Sequence, residues 1–341
     1  MNAPKRINLA LQGGGSHGAY TWGALDAILA DERLEIAAVS GASAGAMNAV
    51  VMASGLDSSG AEGAREKLER FWRAIARDAA PITDLPLVDA WTAMWKTALA
   101  PASQMAIAAD ASSPYLFNPL NINPVSETLA NIVDFASLRR GGEPKLFVAA
   151  TNARTGKGAM FRREILTAAH VMASATLPHL FQAAIIDGEP YWDGGYSGNP
   201  PLWPLFQETD CRDTIIVQIN PIERPDIPRT AEAISNRVNE ITFNASLLAE
   251  FHVAEYTRSL VEQGLLPAER FPAQRLHRIG GDGKLESYPS DTKFDVSWAF
   301  LQELRDLGRA SAKRWLSAHF ADIGESQTLD VRHALRRTAA G

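Results

Sequence analysis

The sequence predicts an α/β fold, a mainly parallel sheet held between layers of helices. Three observations predict it. Short apolar runs at 6–11, 36–40, 144–153 and 214–219 are too brief for helices and are bounded by turn residues, as buried strands are. Segments with helical spacing alternate with these runs. The first two runs each feed a glycine-rich turn that opens a helix, giving the β-turn-α-β-turn-α start of a parallel sheet, whose ligands collect at the carboxyl ends of the strands.

Taken in order, 6–11 reads as a buried strand and 19–30 as a helix, with Tyr20, Ala24, Ala27 and Ile28 at helical spacing. A second strand at 36–40 leads to a helix at about 44–54, and 64–77 reads as a charged surface helix. Composition then shifts. From about 78 to 125 the chain is rich in Ala, Pro, Met and Trp and poor in charge, which fits an inserted helical cap. The α/β pattern returns with a strand at 144–153, a helix around 163–175, a hairpin through Ile185, Ile186 and Tyr191, and a strand at 214–219. Beyond the proline-rich linker "NPIERPDIP", the region from about 225 to 322 is mainly helical. One helix there, about 232–263, carries Val238, Ile241, Ala245 and Leu248 in a stripe, and the last long helix carries Val296, Phe300, Leu304 and Leu307, so both are expected to pack. The organisation expected is one domain over 1–322 and a polar tail over 323–341.

Composition narrows the function. A chain of 341 residues, 46% hydrophobic, can bury a large core. A net charge of −6 with no basic run leaves no electrostatic footprint for nucleic acid. A single cysteine, Cys211, cannot form an internal disulfide, so a cytoplasmic setting is expected. No apolar stretch approaches the length of a spanning helix, and the apolar run at 7–11 is too short for a signal peptide.

Two turns carry the chemistry. "GGGSHG" (13–18) satisfies G-x-G-x-x-G between a strand and a helix, the setting of a dinucleotide site, but that fingerprint expects an acid at the end of the second strand, where Val39-Ser40-Gly41 stands. The second strand runs instead into "GASAG" (41–45), a G-x-S-x-G nucleophile elbow that presents Ser43 and aims the Ala44 N–H at a reacting oxygen. Because both turns follow consecutive strands, bare backbone N–H groups of the glycine turn, backed by a helix N-terminus, can face an oxyanion beside Ser43. Serine needs a proton acceptor. The most suggestive acid is Asp193 in "YWDGGYSGNPP", which is equally suited to an Asx-turn that caps its own backbone.

Strand-"GGGSHG"-helix, "GASAG", "ASATLP" (173–178) and "DGEPYWDGG" together resemble, in order and spacing, the four blocks of patatin-like phospholipases, over roughly residues 6–220. "TNARTGKGAMF" is similar to that family's strand-turn-strand. The resemblance implies the patatin-like three-layer fold and an acyl hydrolase with a Ser–Asp dyad: Ser43 as nucleophile, Asp193 as base, and Gly13, Gly14 and Gly15 lining the oxyanion hole with Ala44. It also implies a lipid or other acyl-ester substrate, and the cap, read as a lid that opens at a lipid surface, would make contact with that surface transient. The family usually has Lys or Arg where His17 stands, and an ordinary His is mostly neutral at pH 7.

A Ser–Asp–His triad remains open, since His252 or His277 comes after Ser43 and Asp193 in the α/β-hydrolase order, although only one strand precedes the elbow. A nucleotide-binding protein using the glycine turn is the other alternative. His252 falls on the expected packed stripe, His179 comes directly after the "ASATLP" block near the site, and Trp91, Met94, Trp95 and Ala98 give the cap a helical face that either packs or covers the acyl chain. His17, His179, Trp91 and Trp95 are thus substrate-binding candidates. No histidines stand at i, i+4 with acids, so neither a catalytic metal nor a cofactor is expected.

Overall fold

A computed structural model describes residues 3–83, 113–224, 226–281, 283–288 and 290–335. Eight strands form one sheet among them: β1 (Lys5–Leu11), β2 (Leu34–Gly41), β3 (Lys145–Asn152), β4 (Gly158–Arg162), β5 (Ala184–Ile186), β6 (Glu189–Asp193), β7 (Asp213–Val217) and β8 (Arg275–Ile279). Their order is β5-β6-β3-β2-β1-β7-β8, with β4 also paired to β3. From β3 to β8 the neighbours run parallel, and the antiparallel pairings involve only β4, β5 and β6.

Alternation along each strand divides the core in two. Ile7, Leu9 and Leu11 of β1 face a layer built from α1 (Gly18–Leu29), α2 (Ala44–Thr83) and the last long helix, Trp298–His319. Ala10, with Ala38, Phe147 and Ile216 of neighbouring strands, faces Leu205 of the helix Trp203–Glu208, Leu247 and Phe251 of the helix Ala231–Glu262, and Val331 of the helix Val331–Leu335. A sheet covered on both faces has no wet side, which is why its central strands read as continuous apolar runs.

The structure departs from expectation in several places. The two helices expected at about 44–54 and 64–77 are present but longer, and form one element, α2, that runs to Thr83 with a break at Ser59 and Gly60, where φ is −153° and 66°. The expected helix over 163–175 is only a 3-10 turn, Arg163–Ile165, and a short helix, Ala168–Ala173. The 3-10 turn is anchored by Arg163, which is 1% exposed and has its guanidinium committed to the carbonyls of Leu138 and Pro144 and to Asp57.

Of the stripe on the helix Ala231–Glu262, Leu248 packs on the second core but the rest faces the other way. Val238 and Ile241 are each 54% exposed, while the buried side carries Glu240, Asn244, Leu247 and Phe251. A hydrophobic pattern misses a face whose polar members are buried because they have partners. In Trp298–His319 the expected packing holds, through Leu301, Leu304 and Leu316 with Phe300 and Leu307 alongside. Residues 323–335, expected as polar tail, place Ile323, Leu329 and Val331 in the two cores, and the Leu329 N–H donates to the Leu276 carbonyl at 3.0 Å. Most of the expected cap, including Trp91, Met94, Trp95 and Ala98, lies outside the described residues. Among the described residues no helix is long and apolar enough to cross a membrane.

Candidate active site

The elbow forms where β2 ends at Gly41 and α2 begins at Ala44. Ser43 between them has φ 53°, a left-handed backbone that costs a non-glycine residue about 1–3 kcal/mol and persists only when its surroundings fix it. Here the Ser43 N–H donates to both the carbonyl and the Oγ of Ser174, at 3.1 and 2.9 Å, and Ala42 O accepts the Gly45 N–H at 2.9 Å. Gly45 lies so close to β1 that a Cβ there would strike the Leu11 carbonyl oxygen.

Sheet register brings Asp193 to the same level. Gly41 pairs with Val148 of β3, and Asp193 pairs with Ala150, two residues further along β3, as Ser43 is two residues beyond Gly41. The Asp193 N–H donates to Thr176 O at 2.8 Å and the Gly194 N–H to Ser174 O at 3.0 Å. The "ASATLP" block therefore fastens the elbow and the acid turn to each other through one residue, Ser174. Thr151 adds a bond from its hydroxyl to Asp193 O at 2.8 Å.

The Asp193 side chain has two partners of different meaning. Its Oδ1 accepts the Gly195 N–H at 2.7 Å, the Asx-turn bond, and the Ser43 hydroxyl also favours its ionised form. At 2% exposure, burial pushes its pKa up to about 7, and these two partners offset that only in part. The result is a carboxylate that titrates near neutrality beside a serine hydroxyl.

The glycine turn abuts this pair. A Cβ on Gly13 would stand 2.7 Å from Ser43 Cβ and from Ala42 O. The Gly13 N–H donates to Asn199 Oδ1 at 2.7 Å, and Gly13 O accepts from Asn220 Nδ2 at 2.8 Å. Gln12 ties the two asparagine segments together. Its Oε1 accepts the N–H groups of Ile219 and Asn220 at 2.9 and 2.8 Å, and its Nε2 donates to Asn199 O and Asn244 Oδ1, both at 3.1 Å. The N–H groups of Gly14, Gly15 and Ala44 have no acceptor among the described residues. Where a dinucleotide would need the first glycine open, protein side chains occupy it.

The histidines fall elsewhere. His17 is 3% exposed, with Nε2 2.8 Å from Thr292 Oγ1 and its ring centroid 6.1 Å from those of Tyr288 and Phe300. Burial, helped by the charges of Lys293 and Arg224, lowers its pKa to about 3, so the ring is neutral and packed inward. His179 is exposed. His252 is exposed too, not packed, with Nδ1 2.9 Å from Leu248 O. His277 is buried, but against Asp213 and Thr328. Among the described residues no histidine hydrogen-bonds to Ser43 or Asp193, and no group of three or more His, Cys, Asp or Glu could hold a metal ion.

The model of the patatin-like phospholipase family matches residues 9–206. The chain belongs to that family. It is accordingly a hydrolase of the phospholipase and esterase type. Among solved structures, the chain is similar to the crystal structure of VipD from Legionella pneumophila, at 16% identity over 93% of this chain and 68% of that one, with a TM-score of 0.46. No curated protein matches.

The match to the patatin-like family covers Ser43, Asp193, Ser174 and Asn199, but it ends before Asn220, Asn244 and Lys293. Sequence reasoning missed all of these clamping residues except Ser174, which it took only as a letter of a motif. One signal was available. Asn199 and Asn220 each precede a proline, which holds the residue before it extended and so fixes where its amide can reach.

Proposed function

We propose that this patatin-like hydrolase cleaves carboxylic esters of lipids through an acyl-enzyme on Ser43, with Asp193 as general base. The buried Asp193 carboxylate, its ionised form favoured by the Ser43 hydroxyl, at a strained elbow touching the glycine turn, is the observation that carries this reading. Asp193 takes the hydroxyl proton as Ser43 Oγ attacks the ester carbonyl. The N–H groups of Gly14, Gly15 and Ala44, with Gly13 holding the turn against Ser43, receive the oxyanion, Ala44 doing so at the positive end of α2. When the tetrahedral species collapses, the C–O bond to the alcohol breaks and Asp193 returns the proton to the leaving oxygen. Water then repeats the sequence on the acyl-enzyme and frees the acid.

A pKa near 7 makes Asp193 a far better base than an ordinary carboxylate, and it still leaves the group ionised in a useful fraction at neutral pH. The continuous sheet from Lys5 to Ile279, with Trp298–His319 packed on α1, supports reading the described chain as one catalytic domain. Transient contact with a lipid surface is part of the same reading, supported by exposed Tyr115, Leu116, Leu120 and Ile122 in the described end of the region assigned to the cap. Location in the cytoplasm rests on the single, free Cys211.

The test is hydrolysis of p-nitrophenyl esters from acetate to palmitate by wild type and Ser43→Ala. The variant should keep its fold and lose on the order of four to six decades of kcat. A fluorophosphonate should label wild type at Ser43 and leave the variant unlabelled. Folded Ser43→Ala protein with undiminished turnover sinks the reading, and the chain-length optimum of wild type sizes the acyl groove.

A further inference from the structure

The family's usual cation in the glycine motif is replaced here by His17, which is buried and neutral. A cation nevertheless reaches the same turn from the far end of the chain, beyond the family match. Lys293 lies in the 3-10 turn Ser290–Phe294, its backbone against Gly15, and its neighbour Thr292 holds both Ser16 and His17. The Lys293 ammonium donates to Asn220 Oδ1 at 2.8 Å, and Asn220 Nδ2 donates to Gly13 O at 2.8 Å. These two bonds also fix which way the Asn220 amide points, because an ammonium can only donate and a carbonyl can only accept.

The peptide between Gly13 and Gly14 completes the relay. It is planar and trans, so a carbonyl pulled toward Asn220 aims the Gly14 N–H the opposite way. A positive charge on one end of a hydrogen-bond chain polarises every link in it. Asn220 becomes a stronger donor to Gly13 O, and the Gly14 N–H in turn a stronger donor to whatever it faces. We propose that Lys293 is a positioning residue for ester hydrolysis, its ammonium acting through Asn220 and the Gly13–Gly14 peptide to orient and strengthen the Gly14 N–H toward the oxyanion. This rests on the glycine turn being the oxyanion hole.

The charges around Lys293 come from every side of it. Glu240 of the helix Ala231–Glu262 supports the ammonium, but it is itself paired with Arg224 of the preceding loop and with Arg237 one turn before it. His17 on the glycine-turn side contributes no charge. Burial lowers the Lys293 pKa, Glu240 opposes that and Arg224 adds to it, leaving the ammonium to titrate at about 8. The charge can therefore be removed without mutation.

The experiment is kcat for p-nitrophenyl butyrate against pH for wild type, Lys293→Met, Lys293→Arg and Ser43→Ala, with thermal unfolding of each. Wild type should step down on the order of tenfold as pH rises through about 8. Lys293→Met should sit at the lower level at every pH with KM little changed, and Lys293→Arg should hold the upper level past pH 8, since a guanidinium stays charged there. The proposal is overturned if Lys293→Met stays within about twofold of wild type at pH 7, if Lys293→Arg still steps down through pH 8, or if the arginine restores no activity. Should Lys293→Met fail to fold, the Lys293→Arg profile decides alone. Ser43→Ala separates the two readings: if it remains active, both the acyl-enzyme and the relay fall, whereas an inactive Ser43→Ala beside an unaffected Lys293→Met removes only the relay.

Discussion

Two buried aspartates at different parts of the same sheet have opposite fates. Asp193, at the end of β6, and Asp213, at the start of β7, are 2% and 3% exposed. Burial raises both pKa values. At Asp193 only the Gly195 N–H and the Ser43 hydroxyl oppose it, and the group ends up near 7. At Asp213 the Arg275 guanidinium, the His277 ring and the Gly324 N–H outweigh it and hold the carboxyl far below the usual range. Asp193, the more deeply enclosed of the two and without a cation, is left titrating near neutrality, whereas Asp213, less deeply enclosed and beside Arg275, is held ionised as a strut.

The largest effect tests the first half of that contrast. Asp193→Asn keeps the shape and the Gly195 bond but cannot take a proton, so kcat for ester hydrolysis should fall at least about a thousandfold. In wild type, activity should drop as pH falls through about 7, where Asp193 becomes protonated. An acid limb near 4 would mean that the site is wetter than its burial implies, and the distinction between the two aspartates would shrink.

Stability should move in opposite directions at the two positions. The folded pKa of Asp193 lies above its unfolded value, so its ionisation weakens the fold: stability falls as pH rises from about 4 to about 7 and stays lowered above. Asp193→Asn should relieve this, raising stability at pH 8 by on the order of 2 kcal/mol and by little at pH 4. The folded pKa of Asp213 lies below its unfolded value, so its contribution is present above about 4 and is lost as pH falls further. Asp213→Asn leaves Arg275 and His277 without their carboxylate and should cost about 3 kcal/mol at pH 7, with kcat of the remaining folded enzyme unchanged. Denaturant titrations of both variants at pH 4 and pH 8 check the signs. A stabilised Asp213→Asn would show that the ion pairs there repay less than their desolvation.

Legibility in the sequence obeys the same division between short-range and long-range partners. The strands, the first helix, the elbow and the acid turn were readable because each is local: an apolar run, a helical spacing, or glycines beside a serine or an aspartate. The hairpin through Ile185 and Tyr191 was legible for the same reason. The residues that support the site were not. Gln12 looked like the residue that merely ends an apolar run, and Asn244 sat on the face of a helix that its hydrophobic stripe assigned to solvent. Asn199, Asn220 and Lys293 meet the glycine turn from 186, 207 and more residues away, and apart from the prolines that follow the two asparagines nothing near them in the chain marks that meeting. His17 shows the converse: its motif position makes it a substrate-binding candidate, yet its environment, supplied from Thr292, Tyr288 and Phe300, makes it a neutral part of the packing.

Ser174 sharpens the contrast at its smallest scale, because it asks whether the site is held by charge or by backbone. Its carbonyl accepts the N–H groups of Ser43 and Gly194, while its hydroxyl adds a second acceptor only for Ser43. Ser174→Ala removes the second and leaves the first, so the elbow keeps one acceptor for its strained residue. A neutral hydrogen bond of this kind contributes about 1 kcal/mol net. The expected result is a stability loss of that size and a kcat lowered by roughly tenfold with KM preserved, since a slightly looser elbow misplaces Ser43 Oγ without touching substrate. A much larger loss, approaching that of Asp193→Asn, would place the Ser174 hydroxyl in the reaction itself. No loss would show that the main chain of "ASATLP" is a sufficient clamp, with the acid edge of the sheet held by backbone where the Asp213 edge is held by charge.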